Sequence, residues 1–318
     1  MKIHHTTIAA TGLCVVALQL AACGGDSAAI AQPAAATPPA APLSTLTPTP
    51  DRSLVKFACS FTGLLRDCGF QEQAKERGRA TLTTIAREGA TAIRLHTEPG
   101  DNNVAFSGEM ERNDVWLTQE ATDGYEGREA WWAHSIYFPD DFTAPTWESY
   151  VVFDFHNSAP GPWQANFMVN FQRQADTTLP GLLTITAYGG VNSGDGPYGA
   201  TIGQLNKNVW YDFVYHVRWS SKPDGFFDAW VNGNRVLSHR GPTLYAGQGV
   251  YLKLANYHNP ICDPYPACIG KHKASSVIHD RIIRGTTPLA VAAGPLEGVL
   301  ALVDGVLTPI PAAAPSRP

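Results

Sequence analysis

The sequence predicts an all-β fold, a jelly-roll sandwich of two antiparallel sheets. Three observations carry that expectation. Period-two alternation recurs along the chain, turn residues punctuate it, and only residues 71–87 read as a helix. The clearest alternation covers residues 209–219. There Tyr211, Phe213, Tyr215, Val217 and Trp219 fall on one face, and Trp210, Asp212, Val214, His216 and Arg218 on the other. Pro223-Asp224-Gly225 is a turn, residues 227–231 form the next strand, and Asn232-Gly233 is a two-residue hairpin signal before a strand at 235–237. Further strands are predicted near 92–97, 130–138, 150–156, 165–172, 182–188, 249–257 and 277–284. Many strands of moderate length with turns between them fold as a sandwich.

The ends of the chain read differently. Met1-Lys2-Ile3-His4-His5 is a short, weakly basic start, and residues 6–20 are almost uncharged and mostly apolar. That stretch has the length of a signal-peptide core and is too short to span a bilayer comfortably. It ends in Leu20-Ala21-Ala22-Cys23, the pattern of a bacterial lipoprotein box, whose cysteine thiol carries the lipid. Residues 1–23 are therefore expected to be a lipoprotein signal. Gly24, rather than an Asp, follows the cysteine, which favours the outer membrane in a cell that has two. The expectation is an exported protein, lipid-anchored to the cell envelope, or secreted if Cys23 is not lipidated. Residues 24–52 are Ala, Pro, Thr and Ser with few bulky apolar side chains, so they read as a tether that cannot offset its ordering entropy. Residues 53–286 are the folded domain. Residues 287–318 form an Ala/Pro-rich tail whose apolar run at 299–303 is expected to dock or pair.

Net charge is -5 with a sequence pI near 6.0, and no Lys/Arg run stands out. A nucleic-acid partner leaves a basic footprint, so that class is excluded, and a very highly sulfated ligand is disfavoured. The membrane is expected to be touched only through the lipid, and the protein to be a monomer. Of the six cysteines, Cys14 leaves with the signal and Cys23 takes the lipid. Cys59, Cys68, Cys262 and Cys268 remain, an even number in an oxidising compartment, which suggests disulfides. Three connectivities are open, and the local loops Cys59–Cys68 and Cys262–Cys268 are favoured. A zinc site using His258 and His272 ranks below a disulfide, because Cys262-Asp-Pro-Tyr-Pro-Ala-Cys268 lacks a familiar zinc-ligand spacing.

Alternation also sorts the polar side chains. Phe153 and Phe155 point inward, so Asp154 and His156 point away; Phe167, Val169 and Phe171 leave Asn166, Asn170 and Gln172 on the other face. Ile93 and Leu95 oppose Arg94 and His96, while Lys253 and Tyr257 share a face. An Arg, a His, an Asn, a Lys and a Tyr together suit removal of a proton beside a carboxylate. Arg or Asn withdraws charge from the carboxylate, and a His or Tyr accepts or donates the proton. A free Tyr has a pKa of about 10, so Lys253 is expected to bring Tyr257 down if it serves as a base.

These residues carry a resemblance. Trp210-Tyr-Asp-Phe-Val-Tyr-His-Val-Arg-Trp-Ser220, Asp224-Gly225, Trp230-Val-Asn-Gly233 and Gly249-Val-Tyr-Leu-Lys253 with Tyr257 resemble the heparin-lyase-I-like polysaccharide lyases. Val277-Ile-His-Asp-Arg-Ile-Ile-Arg-Gly285 fits their final strand. Arg128-Glu-Ala-Trp-Trp-Ala-His-Ser-Ile-Tyr-Phe-Pro-Asp-Asp141 and Val152-Phe-Asp-Phe-His156 match their early strands. The likeness covers most of residues 90–285. It implies a concanavalin A-like jelly roll that cleaves uronic-acid polysaccharides by β-elimination. It implies His156 as the catalytic histidine, Lys253 and Tyr257 as the family's Lys and Tyr, and Arg94 as its Arg in an Arg-x-Glu strand. Here His96 stands at the Glu position with Glu98 two residues on, and His258-Asn259 follow Tyr257 where an Arg is common. His96, Asn166 and Asn170 are the expected substrate contacts, with Trp163 in the following loop stacking on a sugar face. Of Trp131 and Trp132, neighbours that point oppositely, one belongs to the core. The partner the resemblance implies is an acidic, uronate-bearing polysaccharide. No cofactor is required by the sequence; some relatives bind calcium, and although no dense acidic loop is present here, calcium stays open.

Two other readings share the fold. A glycoside hydrolase needs two carboxylates across the sugar bond, and the Glu-x-Asp-x-x-Glu strand of the laminarinase-like group is absent. A non-catalytic carbohydrate-binding surface lipoprotein keeps the aromatics but has no need of His156, Lys253 and Tyr257 together.

Overall fold

The structure is a computed structural model that describes residues 52–101, 111–143, 148–158, 164–172, 181–190, 198–260, 273–291, 300–303 and 306–309. All of them fall in one compact unit, Thr45–Pro318. In chain order the strands begin with β1 (Val55–Cys59), β2 (Gln71–Ala74), β3 (Ala80–Thr83), β4 (Ala92–Thr97) and β5 (Glu111–Trp116). They continue with β6 (Glu129–Tyr137), β7 (Glu148–Asn157), β8 (Phe167–Gln172), β9 (Leu182–Ala187) and β10 (Tyr198–Gln204). Next come β11 (Trp210–Arg218), β12 (Phe226–Val231), β13 (Asn234–Arg240), β14 (Val250–Pro260) and β15 (Ser275–Gly285), then β16 (Leu300–Val303) and β17 (Val306–Pro309). Two four-residue helices, α1 (Gln119–Thr122) and α2 (Pro288–Val291), are the only α-helices among the described residues.

Two antiparallel sheets result. One has eight strands in the order β13-β12-β11-β6-β15-β4-β3, with β1 also paired to β15. The other has seven in the order β10-β9-β8-β7-β14-β5-β2. In the first, β4 pairs with residues 275–279 of β15 and β1 with residues 282–285, while β6 runs along the other edge. The sandwich predicted from alternation is the fold observed. The apolar run near 300 pairs, as β16 with β17.

The inner faces meet through aromatic rings. Phe155 of β7 lies 5.1 Å from Trp219, 5.8 Å from Trp132 and 5.9 Å from Tyr215 between ring centroids, all edge-on. Phe167 stacks on Phe227 at 3.7 Å. Each such ring is fully buried and contributes about 1.5–3 kcal/mol through removal from water. Trp132 is the core member of its pair; Trp131 lies on the outer side between His216 and Trp230.

The helix expected over 71–87 does not form. β2 and β3 occupy that segment, because ladder bonds to β5 and β4 outweigh local propensity and Gly78 takes a left-handed φ of +87° between them. Strands β1, β5 and β10 were not anticipated. β5 reads Glu-Arg-Asn-Asp-Val-Trp, so its polar residues conceal the alternation. A disulfide joins Cys59 and Cys68, with Cα atoms 5.6 Å apart. Cys23, Cys262, Cys268, His272, Trp163, the signal and residues 24–51 lie outside the described residues. No helix among the described residues is long and apolar enough to cross a membrane.

Candidate active site

The outer face of the seven-stranded sheet collects the chemistry. Because Phe153 and Phe155 point inward, β7 turns Asp154 and His156 outward; β14 turns Tyr251, Lys253 and Tyr257 the same way. In register, Tyr251 is opposite His156, Lys253 opposite Asp154, and Tyr257 opposite Val151. On the other flank of β14, β5 contributes Arg112, Asp114 and Trp116. On the far flank of β7, β8 brings Met168 opposite Asp154 and Asn170 opposite Val151. The register shifts between Leu254 and Tyr257 in β14 and between Val151 and Phe153 in β7, so both strands are irregular at the row that holds Tyr257. Bulges re-aim side chains in this way beside functional sites.

Charges alternate along the middle of this face. Lys253 Nζ lies 2.8 Å from Asp114 Oδ2, and Arg112 lies 3.5 Å from the same oxygen. Lys253 and Asp154 are 4% exposed, Asp114 is fully buried, and all three sit among polar neighbours. Burial works against the Lys253 ammonium, but Asp114 and Asp154 outweigh it and raise its pKa above the ordinary value. Burial raises the Asp154 carboxyl, with Lys253 pulling the other way. The Arg112 guanidinium sits 4.3 Å over the Tyr257 ring, with Lys253 Nζ 5.8 Å from it. Burial nonetheless raises the Tyr257 hydroxyl above its ordinary value, and Arg112 and Lys253 offset only part of that. Lys253 would have to bring Tyr257 down for it to serve as the base, a role the sequence leaves open between His156 and Tyr257. In the free protein Tyr257 instead keeps its proton.

At the other end of the site, the His156 ring stacks on Tyr251 at 5.2 Å, and Trp116 closes edge-on against Tyr251 at 5.7 Å. His156 Nδ1 donates to the Asn157 carbonyl at 3.1 Å. A carbonyl can only accept, so the neutral ring has its hydrogen on Nδ1 and its lone pair on Nε2.

Of the residues singled out in the sequence, His156, Lys253, Tyr257 and Asn170 share this face. Asn170 Nδ2 donates to Thr186 at 2.8 Å. Asn166 does not join them: it is fully buried and donates to the carbonyls of Gly189 and Thr243 at 2.9 and 2.8 Å, tying two loops together. Arg94 and His96 lie on β4, in the other sheet. There Arg94 pairs with Asp141 and donates to Ser276 at 2.9 Å, and His96 sits 2.8 Å from Glu98 and 2.9 Å from Ser276. Alternation showed that Arg94 and His96 face away from the core, and they do. A sandwich has two outer faces, however, and alternation does not say which one a strand belongs to. The arginine beside the His, Lys and Tyr is Arg112, in the Arg-x-acid pattern Arg112-Asn113-Asp114. That pattern was legible, but Glu111 and Asn113 on the inward side gave no apolar period to mark a strand. Trp116, Tyr251 and Asp114 were also missed as site members. Among the described residues, no group of three or more His, Cys, Asp or Glu side chains is arranged to hold a metal ion.

The family model "Polysaccharide lyase" matches residues 65–283, more than half of the chain. The chain belongs to the polysaccharide lyase family. No curated protein matches this lyase. Among solved structures it is similar to an endo-β-1,4-glucuronan lyase from the fungus Trichoderma reesei, at 17% identity and a TM-score of 0.53, over 74% of this chain and 98% of that one. It is also similar to an alginate lyase in complex with an alginate trisaccharide, at 11% identity and a TM-score of 0.50, over 73% of this chain and 98% of that one. At these identities the likeness to each solved lyase is one of fold.

Proposed function

We propose that this lyase cleaves a uronic-acid polysaccharide by β-elimination on the outer face of the seven-stranded sheet. One observation carries the reading: a histidine with its lone pair on Nε2, a proton-bearing tyrosine and two cations stand on one sheet face, both cations against the tyrosine ring. The uronate ring lies over Lys253 and Asp154, between His156 and Tyr257. His156 Nε2 takes the proton from C5, next to the carboxylate. Arg112 and Lys253 stabilise the extra charge that develops on that carboxylate. The electron pair forms the C4–C5 double bond, the C4–O bond breaks, and Tyr257 gives its proton to the leaving oxygen. A donor tyrosine needs its phenolate stabilised afterwards, and Tyr257 sits beside both cations. Tyr251, packed between Trp116 and His156, orients the base instead.

The net negative charge and the absence of a Lys/Arg run support a uronan without dense sulfation, such as a glucuronan or an alginate, over the sulfated substrate of a heparin lyase. The leader pattern ending at Cys23 supports action outside the cytoplasm on a lipid anchor. The test is ultraviolet absorbance of the unsaturated uronate during incubation with glucuronan, alginate, pectate and glycosaminoglycans. A rise with at least one unsulfated uronan is expected. Flat absorbance across the panel would sink the reading.

A further inference from the structure

The middle of the site holds one carboxyl too many for an anionic substrate. Arg112 and Lys253 bring two positive charges, and Asp114 already occupies Lys253 at 2.8 Å and approaches Arg112 at 3.5 Å. Asp154 stands opposite Lys253 across the β7–β14 ladder and two residues from His156 on the same face. Its Oδ1 is buried without a hydrogen-bond partner among the described residues. Were Asp154 ionised, a uronate carboxylate docking over Lys253 would be the third negative charge against two positive ones. A neutral Asp154 balances the ledger and turns an unpartnered acceptor into a donor.

We propose that Asp154 is a specificity-determining residue that binds the substrate carboxylate as a carboxylic acid, its O–H donating to one uronate oxygen. The inference rests on the uronan-lyase reading and deepens it. The groups facing Asp154 are Lys253, Tyr251 and Tyr257 from β14, Asp114 and Arg112 from β5, and His156 from its own strand; β8 contributes the uncharged Met168. Burial favours its neutral form, Asp114 reinforces that, and Lys253, His156 and Arg112 oppose it. Neutral polysaccharides gain nothing from this donor, so the contact selects for uronates.

The experiment compares the full chain with Asp154→Asn and Asp154→Ala on the uronan that the wild type cleaves, across pH. Asn keeps a neutral donor in nearly the same shape. It is expected to hold KM within about threefold and to move the alkaline fall in kcat/KM to higher pH, where loss of the Tyr257 proton sets it, whereas Ala raises KM about tenfold or more. Asn as damaging as Ala, or an alkaline limb unchanged in Asn, overturns the proposal. An infrared difference spectrum of wild type minus Asp154→Asn at neutral pH supplies a readout that needs no turnover. A protonated-carboxyl C=O band is expected, and an ionised-carboxylate band in its place refutes the proposal. If no uronan is cleaved by the wild type, the lyase reading fails on its own, and the infrared result still decides the state of Asp154.

Discussion

Tyr257 and Tyr251 share a strand, a face and a proton-bearing hydroxyl, yet their surroundings assign them different work. Removing the hydroxyl of Tyr257 takes away the proposed donor while leaving the ring under Arg112. Tyr257→Phe is expected to lower kcat by about a hundredfold or more, with substrate binding retained. Tyr251→Phe keeps the stack against His156 and is expected to lower kcat by less than about tenfold. Steady-state kinetics with a binding measurement on each variant checks both, and the reverse order would move the donor role to Tyr251. The sequence revealed His156, Lys253, Tyr257 and Asn170 because each lies on a strand with a clear apolar face. Arg112 stayed hidden because its neighbours Glu111 and Asn113 point inward and are polar. The sequence points to Arg94 in its place because a one-strand pattern carries no information on which sheet the strand joins.

At the level of elements, alternation succeeded where several inward residues were aromatic, as in β7, β8 and β11, and failed at short or polar strands such as β2, β3 and β5. β2 and β5 are stabilised by partners far away in sequence, so no local window contains the cause of their structure. The Cys59–Cys68 disulfide closes a loop with a sequence separation of 9. Replacing both cysteines by Ala is expected to cost about 2–3 kcal/mol by the loop-entropy relation, measured as a shift in denaturant midpoint. An unchanged midpoint would mean that contacts around Phe61 and Phe70 already hold that loop.

The molecule as a whole carries ionisable groups at its centre. His134 is fully enclosed, stacked on Phe153 at 4.0 Å and Phe213 at 4.8 Å, and burial holds its pKa well below the ordinary value. His279 is pushed down to about 4 by burial, with its contact to the Ala255 carbonyl and the charge of Asp114 opposing. Unfolded histidines take up protons near pH 6.5 and these two do not, so stability falls as pH drops from about 6.5 towards 4, by about 3 kcal/mol for His279 alone. Asp280 acts with the opposite sign. Burial raises it to about 6, so its contribution is present at low pH and is lost as pH rises from about 4 through 6. Two histidines outweigh one carboxyl. Thermal unfolding is therefore expected at a lower temperature at pH 5 than at pH 7, with a steeper drop in Asp280→Asn; a flat profile would mean that the core admits the charged rings.

The disulfide also bears on how the molecule answers a pull. β1 belongs to the eight-stranded sheet, and Cys68 ends three residues before β2 of the seven-stranded one. A load entering the chain ahead of Arg52 first meets β1, held against β15. The S–S bond then hands that load straight from β1 to the start of β2, bypassing residues 60–67. Force applied at one end thus passes from a strand of one sheet to the threshold of a strand of the other without straightening the loop between them.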